Sequence, residues 1–164
     1  MERHGITMKN KIKLTILGLI SALTLTACGS GDPALTKFKT EMDKFCTVIS
    51  ELDTSINEID AEADTAINEL LGYLDELDGE FRAFSKVDFP EEFDYLESLA
   101  DEASEYMTEA VNKYHEAYSN GSYNEYIAEY ARENYSRAYK RIQIIISFLH
   151  GEEPEDVDLT MTTE

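Results

Sequence analysis

The 164-residue chain has no tryptophan, three prolines, three histidines and two cysteines, and only 14 lysines and arginines against 34 aspartates and glutamates. Each shortage excludes something. A net charge of −20 opposes binding to nucleic acid and to anionic lipid headgroups, because like charge repels phosphate. The apolar run Leu14 to Leu25 is shorter than the ~20 residues a spanning helix needs. There is no Gly-rich phosphate loop, no Gly-x-Ser-x-Gly, no Cys-x-x-Cys and no His-Glu-x-x-His. With no recognisable nucleophile–base pair, the expectation is that the protein is not an enzyme.

Scarce histidine narrows the cofactor classes. Beyond the N-terminal segment only His115 and His150 remain. A di-iron carboxylate bundle needs Glu-x-x-His pairs, but Asn112 and Ser147 stand three residues before these histidines. Met42, Met107, His115 and His150 are the residues that could ligate a haem, yet both methionines fall on core positions, where filling gaps is their usual role. Asp60-x-Glu62-x-Asp64 alternates oxygen ligands, with Glu58 and Glu69 nearby. An EF-hand loop would need Gly at its sixth position and Glu at its twelfth, where this chain has Thr65 and Leu71. These carboxylates are expected to cap and solvate a turn. No cofactor and no metal site are expected.

What the chain does have begins at its N-terminus. Lys9, Lys11 and Lys13 precede the apolar Leu14–Leu25 run, and Thr26 and Ala27 follow it. Basic, apolar, small is the order of a secretory signal. Met8-Lys9-Asn10-Lys11 would itself make an ordinary start, so translation from Met8 rather than Met1 is an alternative. The stretch Leu25-Thr26-Ala27-Cys28 resembles the lipobox of bacterial lipoproteins. That resemblance implies cleavage of residues 1–27, a diacylglyceryl thioether on Cys28 and often a further acyl chain, such as palmitate, on the new amine. Two or three chains anchor stably where one is marginal. No aspartate follows Cys28, so the inner-membrane retention signal of Gram-negative lipoproteins is missing. The resemblance thus implies a lipid-anchored protein on the extracytoplasmic face of the cell membrane. Residues 28–32 then form a lipidated tether. With Cys28 lipidated, Cys46 lacks an intramolecular partner and is expected to be a buried, inert thiol.

The segment 1–27 carries Arg3, Lys9, Lys11 and Lys13 against Glu2, so of the whole-chain −20 residues 28–164 hold −23. Yet 43% of residues are hydrophobic, enough to bury a core. Their spacing is helical. Leu35, Met42, Ile49, Ile56, Ala63, Leu70, Leu77 and Phe84 recur every seven residues, as do Phe38, Phe45, Leu52, Ile59, Ala66 and Tyr73. This is heptad, coiled-coil-like periodicity. Asp32-Pro33 starts the first helix as N-cap and first-turn proline. Two architectures fit. Either one helix of about 50 residues, roughly 75 Å long, runs on, or the chain reverses near Asp60–Asp64, with Asp60 or Asp64 capping a second helix. Matched helices close a bundle, so the preferred expectation is all-α: an antiparallel up-down bundle of four helices of about 25–30 residues over 33–151. The alternative has three helices.

Val87-Asp88-Phe89-Pro90-Glu91 is a break, and the next helix is expected from about Pro90 to Ser119. Its stripe, Phe93, Leu96, Ala100, Ala103, Met107, Ala110, Tyr114 and Ala117, alternates alanine with larger residues, which permits close helix approach. Ser119-Asn120-Gly121 ends it. Ser122-Tyr123-Asn124-Glu125 predicts a capping box for a last helix reaching about His150, where Gly151 stops it. Residues 152–164 are acidic and expected to be disordered.

Tyrosine, at ten, is abundant. Tyr123, Tyr126 and Tyr130, spaced i, i+3, i+7, predict one aromatic face for contact with a partner protein, and Arg132, Arg137, Lys140 and Arg141 lie on the same helix. The four basic residues are expected to pair with a neighbouring acidic face, or to complete a mixed Tyr/Arg surface. In layout the chain resembles small helical lipoproteins of Gram-positive bacteria. The expected role is a non-catalytic envelope protein acting through contacts with an envelope protein not identified by sequence. A ligand- or divalent-cation-binding envelope protein is the alternative.

Overall fold

A computed structural model describes residues 32–119 and 123–152. The N-terminal segment with Cys28, most of the tether, the 120–122 turn and the tail beyond Glu152 lie outside the described residues. The described chain is all-helical, with four α-helices and no strand: α1 Pro33–Glu58, α2 Ala66–Phe84, α3 Glu97–Ala117 and α4 Glu125–Leu149.

α1 starts as its sequence dictates. The Asp32 carboxylate accepts from the Ala34 N–H at 2.9 Å, and Pro33 occupies the first turn, where its missing N–H costs nothing. The chain then reverses over residues 59–65, so the single 50-residue helix does not form. Neither Asp60 nor Asp64 caps α2. Thr65 holds the N-cap position without a side-chain bond, while Asp60 accepts from the Glu62 N–H at 3.1 Å to tighten the turn. The seven residues of this turn equal one heptad. The apolar phase therefore continues from Ile56 to Leu70 in the sequence even though the chain has turned around.

α2 and α3 have 19 and 21 residues, shorter than the sequence predicted, because the connections consume more chain. After Pro90 the backbone first winds a 3-10 segment, Glu91–Leu96, before α3 begins. The Asn124 N–H donates to the Ala117 carbonyl at 2.9 Å, closing the α3–α4 turn. Asn124, not Ser122, is the N-cap of α4; its side chain accepts from the Ile127 N–H at 3.3 Å. The far end of α4 matches the expected stop. Gly151 takes φ 70°, its N–H reaches the Phe148 carbonyl, and the Glu152 N–H reaches that of Ser147. That is a Schellman motif, which suits glycine because it has no Cβ to clash.

Successive helices run antiparallel. Asp75 meets His115 and Asp78 meets Thr108 between α2 and α3, while Glu102 meets Arg141 between α3 and α4. The closest pair is α3 and α4, joined along buried Ala100, Ala103, Ala110 and Ala117 on one side and Ala128, Ala131 and Ala138 on the other. Small side chains let the two backbones approach. Where α1 begins and α2 ends, phenylalanines fill the core instead. Phe45 stacks on Phe84 with ring centroids 4.3 Å apart, and Phe38 meets Phe89 at 4.6 Å.

Gly72 and Gly79 lie within α2 at exposed positions, and a Cβ at either would meet nothing within 4 Å. Gly72→Ala and Gly79→Ala are each expected to stabilise the protein by about 0.5–1 kcal/mol, since alanine loses less backbone freedom in a helix. A urea titration checks this; an unchanged or lower midpoint would contradict it.

Candidate functional site

Between α3 and α4, near the turn that joins them, lies an open groove of about 370 Å³, lined by Glu109, Lys113, Tyr126, Ile127 and Tyr130. The capped first turns of α4 set Tyr126 and Tyr130 four residues apart on one face. Tyr126 is 90% exposed and Tyr130 45%, so neither ring serves the core. Across the groove, Lys113 is held by Glu116, Nζ to Oε2 2.7 Å, and this bond raises the lysine's affinity for its proton. Glu109 forms no ion pair among the described residues.

Of the three tyrosines singled out by spacing, the structure brings two together. Tyr123 precedes Asn124 and so lies outside α4. Its ring packs on Tyr118 with centroids 5.2 Å apart, away from the groove lining. Helical spacing misplaced it because the capping residue sits two positions later than the sequence suggested. Tyr118 is half-buried there, and burial pushes its phenol up to about 12. Beside it Tyr114 is buried, with a hydroxyl that has no hydrogen-bond partner among the described residues.

Two of the four basic residues of α4 pair within their own helix. Arg132 bonds Glu129, and Arg137 bonds Glu133 at 2.7 Å. Among the described residues, Arg141 is the one of the four that bonds an acid on another helix, its Nε 2.7 Å from Glu102 of α3. Arg137 and Arg141 also both lie over the Tyr106 ring, 5.7 and 5.4 Å from its centroid. Intrahelical partners at i, i−4 or i, i−3 are already in reach when the helix forms, which is why they win over the more distant acidic face.

A second cluster was not anticipated. Asp53 of α1 is buried, and its Oδ1 accepts from Tyr135 at 2.6 Å and from Tyr139 at 2.8 Å, both on α4. The Tyr135 hydroxyl also lies 3.3 Å from that of Tyr139. Burial raises the Asp53 carboxyl above its ordinary range, overriding the two hydrogen bonds that pull it down. Burial likewise holds both phenols far above theirs. The sequence did carry a signal: Asp53 stands four residues after Ile49 and three before Ile56, on the apolar stripe. A carboxylate there needs donors from another helix. The three groups are closed from solvent, so their chemistry is to fix α1 against α4.

Cys46 is buried, and its thiol is pushed up to about 11, first by burial and then by the nearby Asp43 charge. A thiol so poorly ionised is a weak nucleophile. His115 and Asp75 pair at the surface, 2.7 Å apart. Among the described residues no three His, Cys, Asp or Glu side chains stand close enough together to hold a metal ion. No described helix is long and apolar enough to cross a membrane. Comparison with family models, with curated proteins and with solved structures found no match.

Proposed function

We propose that the protein is a lipid-anchored envelope lipoprotein whose helical body acts without catalysis, through contacts with another protein. The anchor rests on Leu25-Thr26-Ala27-Cys28. The observation that supports the rest is the disposition of the two ends of the bundle. α1 begins at Pro33, five residues after Cys28, so a fully extended tether spans about 17 Å. The exposed Tyr126 and Tyr130 sit at the start of α4. In this up-down bundle that is the end opposite the start of α1, separated by most of the roughly 37 Å length of α4. A body tethered at the start of α1 carries its aromatic groove at the far end of the bundle, where other envelope proteins can reach it. The acidic character of residues 28–164 keeps it off an anionic lipid surface.

Cys28→Ser tests the anchor. In cells fed labelled palmitate, the variant is expected to lose the label and to retain its leader, seen as a higher mass. A Cys28→Ser protein that is still processed and acylated would overturn the proposal.

A further inference from the structure

We infer that the Tyr126–Tyr130 groove receives an arginine side chain from an arginine-bearing segment of the protein partner. The inference deepens the contact role proposed above and rests on it. Its basis is a guanidinium held by the same kinds of group elsewhere along the α3–α4 seam. There Arg141 lies over the Tyr106 ring at 5.4 Å and donates through Nε to Glu102 at 2.7 Å, with Arg137 over the same ring at 5.7 Å. One aromatic ring and one carboxylate thus hold a guanidinium by its face and its edge.

The groove also brings rings and a carboxylate together, but with the rings on α4, because the α3 position one heptad after Tyr106 is Lys113. Glu109 follows Glu102 on α3 by one heptad, so it repeats the acid along the same face. Tyr126 and Tyr130 precede Arg137 and Arg141 by 11 residues each, three turns of α4, so they stand on the face that carries the arginines further along. At the groove, therefore, α4 presents rings where it later presents cations, and α3 still presents an acid. The lysine in the lining, Lys113, is already bonded to Glu116, and the nearby arginine, Arg132, to Glu129. A guanidinium entering the groove would meet the two rings and the Glu109 carboxylate that line it. The −23 charge of residues 28–164 favours approach of a basic segment.

The planar, weakly hydrated guanidinium stacks on rings better than an ammonium does, which gives the test its contrast. The full chain, in non-ionic detergent and about 0.15 M salt where surface attraction is largely screened, is titrated with fluorescein-labelled Gly-Arg-Gly-Arg-Gly and with the lysine counterpart, reading anisotropy. The arginine peptide is expected to bind several-fold tighter than the lysine peptide. Tyr126→Ala/Tyr130→Ala is expected to weaken the arginine peptide about tenfold, Glu109→Gln by several-fold, and Glu92→Gln, at the other end of the bundle, not at all. Equal affinity for both peptides, or affinity unmoved by the tyrosine variants, would mean general attraction to an acidic surface and would overturn the inference, as would absence of binding. The palmitate label on Cys28 is read separately, so failure of the groove and failure of the anchor give different results.

Discussion

The Tyr135→Phe/Tyr139→Phe double variant is expected to lose about 2–4 kcal/mol of stability at neutral pH, because it strips a buried carboxylate of both its donors. In the native protein Asp53 Oδ1 accepts two hydroxyls, at 2.6 and 2.8 Å. Phenylalanine keeps the ring packing, including the Phe81–Tyr139 contact with centroids 5.5 Å apart, so the loss reports the polar groups and not a cavity. The pH dependence identifies the cause. Asp53 has a folded value above its ordinary 3.8. Its contribution is therefore fully present below 3.8 and is lost as pH rises through the elevated folded value. Without the two donors that elevation grows, so the deficit of the double variant is expected to shrink as pH falls from neutral toward that value. Urea titrations at pH 7 and at mildly acidic pH measure both. A deficit independent of pH would contradict the account. Adding Asp53→Leu removes the carboxylate as well. The triple variant is expected to come back to within about 1 kcal/mol of wild type, since a buried polar cluster replaced whole by apolar groups is often neutral.

Phe81→Ala is expected to cost about 3–5 kcal/mol, the usual range for deleting a buried phenyl ring. Phe81 is 1% exposed and bridges α1 and α4 through Phe45, centroid distance 5.2 Å, and Tyr139. Domains of this size have about 5–15 kcal/mol in total, so the variant should unfold at clearly lower urea. Phe81→Leu fills part of the space and should lose less. Because Phe81 supports Tyr139, its truncation should also loosen the hydrogen bonds on Asp53. A double-mutant cycle between Phe81→Ala and Tyr139→Phe is therefore expected to depart from additivity, by about 0.5–3 kcal/mol for residues in contact. Strict additivity would show that the ring and the polar cluster act separately.

The groove and the cluster differ in how far the sequence revealed them. Tyr126 and Tyr130 were legible, because i, i+4 spacing puts two rings on one helix face whatever the helix packs against. Glu109 and Lys113 were not, since nothing in α3 alone says which residue faces the start of α4. Tyr114 lies on the apolar stripe of α3 and Tyr135 on that of α4, and both are buried as that spacing implies; Tyr139 is buried too, though its residue type does not set it apart from Tyr126 and Tyr130. Tyrosine tolerates either environment, so its type does not decide its place.

The sequence by itself determined that the described body is helical, which residues form the apolar stripes, and where three boundaries fall: Asp32-Pro33, the break at Pro90 and the stop at Gly151. Each of these depends on local chemistry, on periodicity, capping, the missing N–H of proline or the left-handed backbone of glycine. Only the tertiary structure decided that the chain reverses at 59–65, because a seven-residue turn leaves a heptad in phase and periodicity records which face is inside, not which way the chain runs. It alone also decided that Asp53 meets Tyr135 and Tyr139, 82 and 86 residues away, and that Arg141 reaches Glu102 while Tyr126 and Tyr130 stand open. Those pairings depend on the register between helices, which is set when the whole core packs and is written in no single segment.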